Sequence, residues 1–286
     1  MLREIQSLGF DHAELSHGIR ISLLPGIIEA VDAGEMKISS LHNFCPLPMG
    51  VAHAAPNLYQ FSSANARERE NAWKHTLKTI ETAVRVKAGA VVLHLGRIEM
   101  KDYTERLLAL VNDGQKGTPK YEKLCAELIE KREVKKIEPW DYVEEVLGHL
   151  ADEAEKRGIR LGIENRADLE ELPLEDDFGF LLREFNRPGV GYWHDTGHAQ
   201  IKENLGFISH AMHLQFLADR LIGFHLHDVE FPGHDHRPPG KGMVDFAALK
   251  PMVKPEHIKV FELSPRLTEE EVRGGVAHIR QVWGGE

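Results

Sequence analysis

The sequence predicts an α/β protein of the (β/α)8 barrel class, apparently lacking the first N-terminal strand. Three observations carry this. Short β-rich runs alternate with charged, amphipathic stretches of helical period, the pattern of parallel βαβ units. Seven such runs can be counted, each followed by helical sequence, and eight close a barrel. Ionisable residues recur at the ends of the later runs, at intervals close to one repeat.

The runs are HAELS (12–16), MKISSLHNF (36–44), AVVLHLG (90–96), IRLGIENR (159–166), VGYWHDT (190–196), LIGFHLHD (221–228) and IKVFELS (258–264). Helix candidates lie between them, such as RERENAWKHTLKTIETAVRV and WDYVEEVLGHLADEAEKRG. The second carries Val143, Val146, Leu147 and Leu150 on one stripe and stops at Gly158, a suitable C′ residue. The chain opens on the helix-like MLREIQSLGF, so the missing strand would be the first: either the barrel closes differently or the sequence begins one strand late. An open, doubly wound sheet competes, but no GxGxxG follows an early run, and PPGKGM (238–243) is no phosphate loop because Asp235 stands where glycine is needed. The segment from about 101 to 138 is a charged, largely helical insertion, expected over the active-site mouth of a single domain spanning 1–286.

Composition narrows the function classes. Of 286 residues, 42% are apolar and 28% charged, ordinary for a globular protein. No apolar run is long enough to span a bilayer, and the N-terminus lacks the pattern of a secretory signal. Cys45 and Cys125 form neither a CxxC pair nor a disulfide framework, so a cytoplasmic setting is expected. A net charge of −10 argues against a nucleic-acid partner, which needs a concentrated basic surface. A small-molecule substrate is expected, with a homo-oligomer left open.

His42, His94, Glu164, Asp195, His225 and Glu262 stand near the C-terminal ends of successive runs, the last four spaced by 31, 30 and 37 residues. In a parallel barrel all would reach the rim where active sites are built. Period-2 alternation puts Gly162 with Glu164 and Gly223 with His225 on one face, and Phe224 and Leu226 on the other. Each has a bland reading alone: a solvated or paired glutamate, a hydrogen-bonded core histidine, or, for Asp195, the N-cap of the next helix. Together, six such groups on one rim would repel and desolvate one another unless a cation joins them. Glu164, Asp195, His225 and Glu262 make a mostly oxygen shell suited to Mn²⁺, Mg²⁺ or Co²⁺, whereas added imidazoles favour Zn²⁺. His227 shares the face of His225 but is expected farther out, and Asp228 is expected to orient a ligand from behind. His198, His234, Asp235 and His236 are candidates for a second metal cluster or for substrate contacts; a solvated polar loop is the alternative for 234–236. His17, His53, His75, His149, His210, His213, His257 and His278 are expected to be surface or packing residues.

GIENR, HDTGHA, H-x-x-D in HLHD, H-x-x-PGKG-x-x-DF and FELS resemble the xylose isomerase-like barrel superfamily, from about residue 12 to 264. That superfamily holds sugar isomerases, ketose 3-epimerases, inosose dehydratases and isomerases, and endonuclease IV-type nucleases. The resemblance implies metal ligands at Glu164, Asp195, His225 and Glu262, proton exchange by Glu164 and Glu262, and substrate binding by His198. It departs from the ketose epimerases at Phe231, where they carry arginine. The nuclease branch implies zinc ligands matching His42, His94, His198 and His236.

Three activities follow as expectations. The first is a metal-dependent isomerase or epimerase of a sugar or polyol ketone, working through an enediolate, with Glu164 and Glu262 facing each other across the pore. The second is a multinuclear zinc phosphodiesterase of the abasic-site endonuclease type. The third is a keto-sugar or inosose lyase or dehydratase using the same acid–base pair.

Overall fold

The computed structural model describes residues 1–55 and 57–284. The strands are β1 (His12–Leu15), β2 (Lys37–His42), β3 (Ala90–Leu93), β4 (Arg160–Glu164), β5 (Val190–Asp195), β6 (Leu221–Leu226), β7 (Asp228–Glu230), β8 (His234–Arg237) and β9 (Ile258–Phe261). Seven form one sheet in the order β1-β2-β3-β4-β5-β6-β9, and these are the seven predicted runs. Pairing is parallel from β1 through β4 and again through β5, β6 and β9. Parallel neighbours need long crossovers, and the intervening helices supply them. As expected, a helix (Leu2–Ser7) precedes β1, and no strand does among the described residues. The antiparallel β7–β8 hairpin was not foreseen.

Two compact units make up the chain. The first comprises Met1–Arg97, Glu138–Glu164 and Leu182–Gly191. Its strands are β1 to β4, whose Leu15, Leu41, Val91, Val92, Leu161 and Ile163 are buried. The helix Ala66–Arg85 starts at Asn65, whose side chain accepts the Arg67 N–H, and buries Ala72, Thr76, Thr79, Ile80 and Ala83 along one stripe. The helix Ile137–Lys156 begins slightly before the predicted stretch and buries all four predicted apolar residues. It ends ahead of Gly158, whose φ of 69° suits a residue without Cβ.

The second unit comprises Ile98–Ile137, Asn165–Leu181 and Tyr192–Glu286. The predicted insertion forms two helices, Thr104–Asn112 and Pro119–Lys135. Tyr103, Leu107, Leu124 and Leu128 from this region pack with Leu169, Ile201, Leu205 and Val229. Glu170 ties down the start of the first helix by accepting the N–H of Tyr103 at 2.6 Å and the hydroxyl of Thr104 at 2.7 Å. Phe224 meets the ring of Trp283 at 5.3 Å between centroids, so it faces the helical layer as alternation predicted.

Candidate metal centre

In the first unit, Glu164 ends β4, His42 ends β2, and His94 follows β3. All three are buried. His94 Nε2 lies 2.6 Å from Glu164 Oε2, and His42 Nε2 lies 3.5 Å from the same oxygen. His42 Nδ1 is 3.0 Å from the carbonyl of Asn43, which can only accept. A proton therefore sits on Nδ1, and a neutral ring turns its Nε2 lone pair toward the carboxylate. A cation between such groups removes the repulsion, so this donor set fits a divalent metal.

In the second unit, Asp195 ends β5 and is fully buried. Its Oδ1 accepts the His198 N–H at 2.7 Å and so caps the helix Thr196–Leu205. Its Oδ2 lies 2.9 Å from His227 Nε2 and 3.9 Å from His225 Nδ1. His225 Nδ1 in turn lies 2.9 Å from Oε2 of Glu262, the residue after β9. The Glu262 side chain is 31% exposed against 1% for Glu164, so it is the carboxylate with access to solvent.

Asn165, which the sequence reading passed over, holds the main chain of Asp195 at both ends. Its Oδ1 accepts the Asp195 N–H at 2.7 Å, and its Nδ2 donates to the Asp195 carbonyl at 3.0 Å. Its place beside Glu164 in GIENR was the available signal. The Asn165 carbonyl accepts from His198 Nδ1 at 2.9 Å, which leaves His198 Nε2 as the basic nitrogen.

His227 departs from expectation, because its ring reaches Asp195 instead of lying farther out. Its Nδ1 accepts the His236 N–H at 3.0 Å. Burial opposes protonation of this ring, but Asp195 favours it, and the balance raises its pKa to about 9. A proton on Nδ1 would nevertheless confront the His236 N–H, so only the neutral Nε2–H form satisfies both partners. A cation held by Asp195 would also weaken that carboxylate's pull.

The loop residues divide. His236 stacks on His227 with centroids 4.4 Å apart, and its Nδ1 donates to the Glu262 carbonyl at 3.0 Å. His234 is exposed on β8 and Asp235 is half-buried, so a cluster of 234–236 with His198 is not assembled among the described residues. Asp228 also does a different job from the one expected. Its carboxylate accepts backbone N–H groups of Val229, Gly240, Lys241, Gly242 and Val244, which folds the PGKG loop around it. No room exists there for a side chain at Gly242, whose Cβ would collide with Asp228 and the Val229 carbonyl.

Of the two readings left for His210 and His213, surface or packing, the structure gives packing. Both are buried, with Tyr192 Oη bridging His194 Nδ1 at 2.7 Å and His213 Nε2 at 3.0 Å, and His194 Nε2 meeting His210 Nε2 at 2.9 Å. Desolvation pushes His210 down to about 4 and His213 to about 3.

Buried carboxylates and imidazoles at the C-terminal ends of parallel strands define a barrel protein with the donors of a metal centre. The chain belongs to the xylose isomerase-like TIM barrel family, whose model matches residues 2–282. Its fold is similar to that of a 3-keto-D-glucoside 4-epimerase, YcjR, from E. coli: TM-score 0.67, 15% identity, 98% of this chain and 92% of that one. It is also similar to a D-psicose 3-epimerase from Clostridium cellulolyticum H10 solved with D-tagatose, with TM-score 0.67, 14% identity, and 99% and 92% coverage. A third similar structure is the IOLI protein with a bound zinc atom, with TM-score 0.66, 17% identity, and 99% and 93% coverage. No curated protein matches the chain by sequence.

Proposed function

We propose that this protein is a divalent-metal-dependent isomerase or epimerase of a sugar or related polyol ketone. The observation that carries this is a pair of strand-end glutamates, each against an imidazole: Glu164 on His94 at 2.6 Å and Glu262 on His225 at 2.9 Å. Family membership supports it, as do the sugar epimerases among the structures of similar fold. Glu164, Asp195, His225 and Glu262 are the proposed ligands of a single ion, Mn²⁺, Mg²⁺ or Co²⁺ on the oxygen-rich count, with Zn²⁺ the alternative. When bound, that ion supplies Lewis-acid stabilisation of negative charge on the substrate's oxygens.

The chain's own residues supply the rest. Glu164, deeply buried, takes the proton from the carbon next to the carbonyl, and Glu262, nearer solvent, delivers one. His94 holds Glu164 in place, and His198 offers Nε2 to a substrate hydroxyl. Either glutamate can take the opposite role for the reverse reaction. A cytoplasmic location and this substrate class go with the reading. The zinc phosphodiesterase alternative has less support, since none of the similar structures described above is a nuclease and His198 and His236 share no cluster among the described residues.

The test is exchange in D₂O. The metal-supplemented protein is incubated with a panel of ketoses, keto-glycosides and inososes, and proton NMR follows deuterium entering beside the carbonyl. Exchange with a new sugar epimer or isomer supports the reading. Loss of water or of an aglycone points to the lyase. No exchange on any member, with cleavage of an abasic-site duplex, overturns it.

A further inference from the structure

We propose that His227 is a positioning residue for Asp195, held as a neutral Nε2–H donor, and that it is not itself a metal ligand. The inference rests on the reading above, in which Asp195 holds the ion.

The residues Asp195, His198 and His227 bring ligand atoms within 4.8 Å of one another and so resemble a second cation site. The proton count excludes that use of His227. Its Nδ1 is already an acceptor, from the His236 N–H at 3.0 Å. Were Nε2 to bind a metal as well, neither nitrogen could carry a proton and the ring would have to be an imidazolate. With the proton on Nε2, the ring instead donates to Asp195 Oδ2 at 2.9 Å.

Several features fix this ring. His236 adopts a left-handed backbone, φ 53°, uncommon for a residue with a side chain. That conformation accompanies an N–H directed at Nδ1 and an imidazole stacked on the His227 ring. The Thr196 hydroxyl bonds the His227 N–H at 3.1 Å and its carbonyl at 2.7 Å. Gly197 leaves room for the ring; a Cβ there would overlap it.

The consequence lies at Asp195. Oδ2 is the Asp195 oxygen nearest the proposed ligand His225, 3.9 Å from its Nδ1, while Oδ1 accepts the His198 N–H. A donor on one lone pair of Oδ2 orients the other and keeps the carboxylate from rotating. Removing such partners typically weakens metal binding by about 10–100-fold.

Two measurements test this on the full chain. Long-range proton–nitrogen NMR of the metal-free protein reads the ring directly: a neutral Nε2–H form is expected, and a Nδ1–H or doubly protonated ring overturns the proposal. Calorimetric titration with Mn²⁺ then compares wild type, His227→Ala and His227→Gln, each checked by thermal melting without metal. Glutamine carries an N–H to roughly where Nε2 stands. The alanine variant should bind about 10–100-fold more weakly at unchanged stoichiometry, with glutamine restoring most of the loss. Equal binding by wild type and alanine overturns the inference, as does a lost equivalent of metal in both variants, which would make His227 a ligand. Wild type that binds no divalent ion instead overturns the metal reading itself, whatever the tautomer.

Discussion

Nε2 of His42 stands 3.5 Å from Oε2 of Glu164 in a buried place, and a neutral His42 ring, its proton on the Asn43 carbonyl, turns a lone pair toward that oxygen. Chelation should expose that repulsion. Metal at about 100 times its dissociation constant contributes about 2.7 kcal/mol to stability, a melting shift on the order of 5–10 °C for a chain of this size. Scanning fluorimetry with EDTA and with added Mn²⁺ measures it. An unchanged melting temperature would mean that no cation resolves the contact.

Exchange of either glutamate for its amide removes the base and keeps the shape. Glu164→Gln and Glu262→Gln should each lower kcat by about 10²–10⁴-fold. Circular dichroism melting of the metal-free proteins should change little. Near-normal turnover of Glu164→Gln would show that its carboxylate moves no proton.

The histidines behind β5 set an acid limit. His210 and His213 are neutral in the folded protein because desolvation depresses them to about 4 and 3 from 6.5. Unfolding frees both to bind protons below pH 6.5, so their contribution is complete above that pH. It falls away between about pH 6.5 and 4 and is gone once the folded values are passed. Each contributes a slope of up to about 1.4 kcal/mol per pH unit there. Urea unfolding of His213→Gln across pH 4–7 should show a shallower pH dependence than wild type; an identical slope would assign the acid sensitivity elsewhere.

Asp228 gathers the backbone N–H groups of the loop 238–244 onto one carboxylate. Asp228→Ala leaves the N–H groups of Gly240, Gly242 and Val244 without their carboxylate acceptor, at about 1–3 kcal/mol for each one that water does not reach. Gly242→Ala pushes a methyl against the same carboxylate and should cost about 1–3 kcal/mol. Both should speed proteolysis at Pro239–Met243, read by mass spectrometry of the fragments. Wild-type cleavage rates in both would remove Asp228 from this role.

Much of the molecule was legible in the sequence because its signals are local. All seven sheet strands fell in the predicted runs, since buried parallel strands are continuous apolar stretches between helices. Glu164 and Asp195 end their strands and Glu262 follows its own, so their positions could be counted from repeat spacing. The β7–β8 hairpin was missed because HDHR has none of the apolar alternation that marks a strand.

By itself the sequence determined the strand series, the helix-facing side of Phe224, and which strand ends carry carboxylates and imidazoles. Those properties follow from side-chain period and chemistry. Only the tertiary structure decided which nitrogen of His227 meets Asp195, that Asn165 clamps Asp195, that Asp228 serves a loop, and that His210 and His213 are buried with Tyr192. Proton placement on an imidazole depends on both of its partners, and those come from positions as far apart as 195 and 236. No local pattern specifies such a pair before the chain has folded.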